Sequence, residues 1–516
     1  MRHQYSVVGD VLRAQARLRP RELAMRHLDR SATWKELDAR ASQVANAFRS
    51  EGLGARGRIA YFGRNSDRYV ELLYGAAKAG CIVSGVNWRL APREVAYVLG
   101  DFEPQVLVVS QEFLPILAQI RSDLHLERIL SVEDEGSSPE LGSYSAWRDA
   151  HPFEDPFGSV SADDPLLVVY TSGTTANPKG AMISHANLLS VGAIYGDSGE
   201  ECYELRDREV LLAYHPFFHN AASLLVWFAT RGGAAIVLPD FDPGQILDLV
   251  KEFRVRRLAL VPTMIQMLLD HPRAAQADLS SLVYVVYGAA PISEKLRSRA
   301  MNELGVQFIQ QYGMTESTGL ATYLPPRDHR GECLSSVGIP FPAVRLAIMD
   351  ESGREQPCGA VGEICLRGPN VTSGYWRRAE TSDATFRGGW LRTGDAGHLD
   401  VRGYLHLKDR IKDLIISGGE NISSVEVEMI LSEHPGVREV AVVGVPDEKW
   451  GETVKAFVVR GLDVEVTTRE LLDFAGKRLA RFKRPRAVEF VSELPRNAMG
   501  KVLKRELRGR ESAQAK

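Results

Sequence analysis

Hydrophobic positions along this chain switch between helical and strand spacing. Leu37, Ala41, Val44, Ala45 and Phe48 fall on one helical face, behind a Thr33/Glu36 capping box and ahead of Gly52, which ends the run. Residues 58–62 then read as a short buried strand, Asp67 as the cap of a helix through YVELLYGAAKAG, and residues 105–110 as a strand after Pro104. That alternation predicts an α/β domain with a largely parallel sheet. Between about 111 and 164 the pattern weakens among acidic, serine and proline residues, and only a connection between two halves is expected. An apolar run at 166–169 next enters YTSGTTANPKGAMISH, which reads as strand, loop and helix, with helical spacing resuming near Ser184.

Strand-like EVLLAY, AAIVL, RLALVP, LVYVVYGAA and VQFIQQYG follow, interleaved with helical DPGQILDLVKEF and SEKLRSRAMNELG. From 336 to about 407, short β segments with turns at Ser352-Gly353, Arg387-Gly388-Gly389 and Arg402-Gly403 predict a smaller β subdomain. The charged stretch KDRIKDLIISGGENISSVEVE marks a second boundary. Beyond it come a Ser423/Glu426 capping box, strands VREVAVVGVP and KAFVVR, and a basic amphipathic helix TTRELLDFAGKRLARFKRP. The expected architecture is therefore α/β, with a large N-terminal domain (1–409) of two stacked α/β halves plus the β subdomain. A small mobile α+β C-terminal domain (410–516) completes it.

Composition narrows the class. A chain of 516 residues with 44% hydrophobic and 25% charged residues is an ordinary globular protein of more than one core. A net charge of -3 supplies no global field for nucleic acid. Five scattered cysteines without a CxxC pair point to a reducing compartment and no structural metal. No run of 18 apolar residues occurs and the N-terminus does not read as a secretory signal, so a cytoplasmic protein without an integral membrane segment is expected. Peripheral membrane contact and a homodimer are left open.

The loop after the 166–169 run has the chemistry of a polyphosphate site. Thr171, Ser172, Thr174 and Thr175 offer hydroxyls, Gly173 and Gly180 allow backbone N–H groups to approach an anion, and Lys179 brings a positive charge. Lys179 lacks the preceding glycine and following Ser/Thr of a Walker A loop, which disfavours an ordinary P-loop NTPase.

YTSGTTANPKG, with YHPFFHNAA (214–222), YGAAP (287–291), QYGMTE (311–316), RTGD (392–395) and DRIKDLIISGGENI followed by PRNAMGK, resembles in order and spacing the AMP-forming adenylating enzymes. That family includes acyl-CoA synthetases, luciferases and peptide-synthetase adenylation domains. The resemblance covers nearly the whole chain and is closest to fatty-acyl and aryl-acid CoA ligases; Ala176 departs from the glycine common in the loop signature. It implies an acid–thiol ligase that joins a fatty or aromatic carboxylic acid to CoA through an acyl-adenylate, with ATP and Mg²⁺ as cofactors.

By the same resemblance, the loop grips the ATP phosphates, Tyr312 beside Gly313 stacks on adenine, and Gly288, Ala289 and Ala290 line the adenine edge. Thr315 addresses the α-phosphate, Glu316 holds Mg²⁺, Asp395 meets the ribose, and Arg410 donates to the same sugar or to the phosphate. His219 borders the carboxylate and gates the thiol. Lys412 is the hinge, and Arg89, Gly418, Gly419, Trp450, Phe482 and Arg484 serve CoA. Lys501 bridges the two reacting anions. A stand-alone enzyme loading a carrier protein, a luciferase-like oxidase and a non-catalytic binding scaffold are the alternatives. Because a cation between two anions acts mainly in the transition state, Lys501→Ala is expected to abolish acid-dependent pyrophosphate release while ATP still binds. Near-normal acyl-adenylate formation by that variant, followed by mass spectrometry, refutes the assignment.

Overall fold

The computed structural model describes residues 5–133, 141–171, 177–290, 292–417, 420–447, 449–461, 465–496 and 502–514. Its first sheet runs in the order 142–143, 128–131, 106–109, 58–62, 82–85, 165–171 and 179–184. All neighbours are parallel except the last pair, Pro165–Thr171 with Lys179–Ser184, which is an antiparallel hairpin. Two expectations change here. Residues 111–164 do more than connect, since Arg128–Ser131 and Gly142–Ser143 extend this sheet and helices Leu114–Ile120 and Tyr144–Asp149 cover it. These strands are too short to show a period. The glycine- and hydroxyl-rich loop returns as a strand before the helix His185–Asp197 begins, because Gly180, Ala181 and Ile183 must pack against the hairpin partner.

A second body contains Arg257–Leu260, Tyr284–Gly288 and Gln307–Tyr312 in parallel, extended antiparallel by Thr322–Leu324 and Ile339–Pro340. Beside it, Leu211–Ala213, Ala235–Val237 and Leu23–His27 pair in parallel, so the chain's first strands are built into the later half. Arg345–Met349, Gly362–Arg367, Leu391–Leu399 and Leu405–Arg410 form the antiparallel β subdomain. The C-terminal sheet joins Glu420–Ile422, Ile415–Ser417, Gly451–Arg460 and Val437–Asp447, with Ala487–Phe490 parallel to Gly451–Arg460.

Helix Asp67–Ala79 is buried on every side, including its charged residues. Ser66 is its cap, accepting from Arg68 N at 3.2 Å; Asp67 is the first helical residue and pairs with Arg30 at 2.7 Å. Glu71 meets Arg148 at 2.8 Å, and Lys78 reaches Asp38 at 2.6 Å and Asp155 at 2.7 Å. Buried charges persist only when paired in this way. In the C-terminal part, Ser423 caps its helix, but Glu426 turns to Lys483 at 2.7 Å and leaves the expected box half formed. The helix expected through the basic stretch stops at Gly476, followed by a short 3-10 turn Arg481–Lys483. Among the described residues no helix is long and apolar enough to cross a membrane.

Gly75 sets the spacing between helices Trp34–Ser50 and Asp67–Ala79. A Cβ there would lie 2.4 Å from Val44 Cγ1 and 3.1 Å from Ala41 O. Overpacking a rigid core costs about 1–3 kcal/mol. Gly75→Val should therefore lower the first denaturant midpoint; an unchanged unfolding curve would show that the two helices can part at little cost.

Candidate active site

The hairpin presents the loop. Thr171 stands opposite Lys179 and donates to its carbonyl at 3.3 Å, while Ser172, Gly173, Thr174 and Thr175 lie outside the described residues. The segment at 374–376 is stitched across this hairpin: Met182 N donates to Gly374 O at 3.0 Å and Trp376 N to Gly180 O at 2.7 Å. Gly180 is required there, since a Cβ would come within 2.5 Å of Val168 Cγ1. Tyr170, just before the loop, is anchored by its hydroxyl to Asp101 at 2.7 Å.

Tyr375, on the stitched segment, links two groups expected to serve phosphate and metal. Its hydroxyl donates to Glu316 Oε1 at 2.8 Å, and the Lys179 ammonium sits 5.4 Å from its ring centroid. Burial and the Glu316 carboxylate together push the phenol's pKa upward, so it remains a donor. Glu316 is buried in the turn Thr315–Ser317, whose backbone also binds the segment through Thr372 N and Glu316 O at 2.9 Å. No cluster of three metal-ligating side chains exists among the described residues. A single carboxylate beside a phosphate site suits Mg²⁺, which takes one or two carboxylates and completes its shell with phosphate oxygens and water.

The nucleoside candidates come together. Tyr312 donates to Asp395 Oδ2 at 2.7 Å, and Arg410 Nε lies 2.6 Å from Asp395 Oδ1. Sheet register produces the second contact, because Asp395 and Arg410 are direct partners on adjacent strands. Burial and the neighbouring carboxylate raise the Tyr312 phenol well above its ordinary pKa. Gly313 and Gly288 allow backbones to close in: a Cβ on either would lie 2.2 Å from Gly319 O or 2.3 Å from Gln311 O respectively. Ala289, at the strand's exit, holds a left-handed φ of 65°, and Ala289 and Ala290 are exposed.

His219 follows buried Phe217 and Phe218 and packs its ring 4.5 Å from that of Phe218. Burial, then the charge of Arg89 and the nearby His215, lowers its pKa to about 4, leaving the imidazole neutral near pH 7. Arg89 stacks 4.0 Å from the Trp88 centroid and 5.8 Å from that of Phe218. It belongs to this side of the molecule. Trp450, Phe482 and Arg484 lie in the C-terminal part, where Trp450 and Phe482 are exposed and Arg484 donates to Leu479 O at 2.9 Å. Lys412 occupies the turn Ile411–Asp413, and Gly418, Gly419 and Lys501 lie outside the described residues. Sequence reading missed Tyr375 and also Asn65, which binds His215 O at 2.9 Å and Phe217 N at 2.8 Å and so fixes the His219 loop.

Comparison with known proteins decides what this arrangement is. The family model described as "AMP-binding enzyme" matches residues 12–376, and that for the "AMP-binding enzyme C-terminal domain" matches 426–501. The chain belongs to the AMP-binding enzyme family. It is 40% identical over 502 residues to a feruloyl-CoA synthase of Amycolatopsis sp, covering 96% of this chain and 97% of that one. Identity to the fatty acid–[acyl-carrier-protein] ligase ScoC of Streptomyces coeruleorubidus is 37% over 488 residues, covering 93% and 92%. Among solved structures, the anthranilate CoA ligase AuaEII in complex with anthranoyl-AMP superposes with a TM-score of 0.90 at 29% identity, over 100% of this chain and 99% of that one.

In this AMP-binding enzyme, Asp395 is tied to both Tyr312 and Arg410, so its carboxylate is oriented before any nucleotide arrives. Hydrogen bonds to a charged group contribute about 1.5–3 kcal/mol. Asp395→Asn should therefore weaken AMP binding by about tenfold to a hundredfold in a calorimetric titration, with the fold retained by circular dichroism. An unchanged affinity would remove Asp395 from the nucleotide site.

Proposed function

We propose that this chain is an ATP-dependent acid:CoA ligase. The substrate carboxylate attacks the α-phosphorus of ATP, the bond to the β-phosphate oxygen breaks, and acyl-AMP and pyrophosphate form. The CoA sulfur then attacks the acyl carbonyl, its proton is lost, and AMP leaves as the thioester forms. The observation that supports this reading is the pair of preformed groups, Tyr312–Asp395–Arg410 and Glu316–Tyr375–Lys179, whose chemistry suits a nucleoside and a polyphosphate.

Roles follow from chemistry and placement. The loop at 171–175 and Lys179 grip the outer phosphates, and Thr315 contacts the α-phosphate. Tyr312 packs on adenine along Gly288, Ala289, Ala290 and Gly313. Asp395 and Arg410 hold the ribose. Glu316 would hold Mg²⁺, which when bound offsets charge on the phosphates. Lys501 supplies the cation between carboxylate and α-phosphate.

The expected bodies, 1–409 and 410–516, turn about Lys412, with Arg410 staying on the strand Leu405–Arg410 of the first body. Burial, with Arg410, Arg508 and Arg505 close by, lowers the pKa of that lysine. Turning brings Gly418, Gly419, Trp450, Phe482 and Arg484 toward a CoA path that starts at Arg89 and His219. A carrier protein is the second acceptor to weigh, because ScoC is a carrier-protein ligase.

The deciding experiment follows AMP release and thioester formation across fatty and aromatic acids, offering CoA against carrier protein. Thioester on CoA supports the reading; turnover only with carrier protein replaces it. Within that assay, His219→Ala should slow thioester formation at least about tenfold more than adenylation, as the loss of a gate rather than of the nucleotide site. Equal rates for both half-reactions would exclude the gate.

A further inference from the structure

The helix Pro92–Phe102 ends in a socket built on Asp101, which uses both carboxylate oxygens and its carbonyl. Tyr170 Oη donates to Asp101 Oδ2 at 2.7 Å. Arg378 donates to Oδ1 and, at 2.9 Å, to Tyr97 Oη of the same helix. The Asp101 carbonyl accepts from Trp376 Nε1 at 3.3 Å and from Arg377 Nη1 at 3.4 Å, and Arg377 also pairs with Glu103 at 2.6 Å. Two guanidinium groups thus meet the C-terminal end of a helix, where free carbonyls carry partial negative charge. Arg377 holds a left-handed φ of 51°, a conformation that a residue with a side chain keeps only when its surroundings impose it.

Two arms run from this socket to the groups assigned to phosphate. Tyr170 stands directly before Thr171, the register partner of Lys179. Trp376 stands directly after Tyr375, whose hydroxyl reaches Glu316 and whose ring faces Lys179. The arms are also joined to each other. Trp376 N donates to Gly180 O at 2.7 Å, and Gly180 is the register partner of Tyr170. Asp101, Tyr170, Gly180 and Trp376 therefore close a circuit in which each link fixes the others. Burial and the Asp101 carboxylate push the Tyr170 phenol's pKa upward, so it stays a donor.

Resting on the polyphosphate reading of Lys179, Glu316 and Tyr375 above, we propose that Asp101 is a positioning residue for ATP. Through Tyr170 and the segment 375–378 it holds Lys179 and Tyr375 in place for the outer phosphates. The sign of its effect separates positioning from charge. A carboxylate repels a nearby polyanion, so by charge alone the loss of Asp101 tightens ATP binding, whereas the loss of positioning weakens it.

The test titrates the full chain, with Mg²⁺ present, against α,β-methylene-ATP and against AMP in a calorimeter. Asp101→Ala should weaken the ATP analogue about tenfold, a size of coupling that one member of such a network carries, and leave AMP within about twofold. AMP is spared because it lacks the outer phosphates. Tyr170→Phe removes one arm without changing charge and should show the same selective loss in smaller measure; it carries the test if Asp101→Ala does not fold. Tighter or unchanged binding of the analogue, or equal weakening of analogue and AMP, overturns the positioning role. Lys179→Ala separates this failure from that of the reading beneath it. If Lys179→Ala weakens the analogue while the other two variants do not, only the positioning role falls. If Lys179→Ala binds the analogue like the unaltered chain, the polyphosphate reading falls and the positioning role with it.

Discussion

The Asp395 carboxylate is the point on which the arrangement depends. Tyr312 reaches it from the end of a parallel strand in the second α/β body, and Arg410 from the last strand of the β subdomain. A partly buried carboxylate is stable only when its charge is answered, so these bonds fix the two bodies in register. The consequence is chemical as well as mechanical. Groups that the chain separates by 83 positions become one preorganised cluster, suited to the proposed sugar contact.

A second constraint couples the first sheet to the same centre. The segment at 372–376 binds the hairpin through backbone bonds at Gly180 and Met182, and binds the Glu316 turn through Thr372. Tyr375 then reaches Glu316 with its hydroxyl and faces Lys179 with its ring. The charged groups proposed to meet polyphosphate are thus held from three directions before any substrate binds. Such preorganisation is where electrostatic catalysis draws most of its advantage.

Much of this was legible in the chain. Valine- and tyrosine-rich runs such as LVYVVYGAA and VQFIQQYG, bounded by turn residues, became strands where expected, and the Thr33/Glu36 box formed in full. Ordered motifs supplied the family. What escaped depended on partners distant in sequence. Glu426 abandons its box for Lys483, 57 residues away, and Gln311 finds Tyr195 and Tyr203 across more than a hundred residues. The strand Arg128–Ser131 is half exposed and too short to carry a period, so only its neighbours on both sides reveal it. No local pattern records these pairings, because the energy that fixes them is tertiary.

The site's layout also accounts for how one nucleotide can serve two steps. Arg410 lies two residues before Lys412, so the proposed sugar contact and the proposed pivot share one short turn, Ile411–Asp413. The proposed nucleoside contacts, Tyr312, Asp395 and Arg410, all precede that proposed pivot. The basic helix beginning at Lys504 follows it and is tethered back through Arg508 to Asp413 at 3.1 Å. Rotation at Lys412 would exchange the groups beyond the turn while those before it keep hold of AMP. On the proposed pivot, binding and exchange would divide at the turn, and a change of reaction would not require release of the nucleotide.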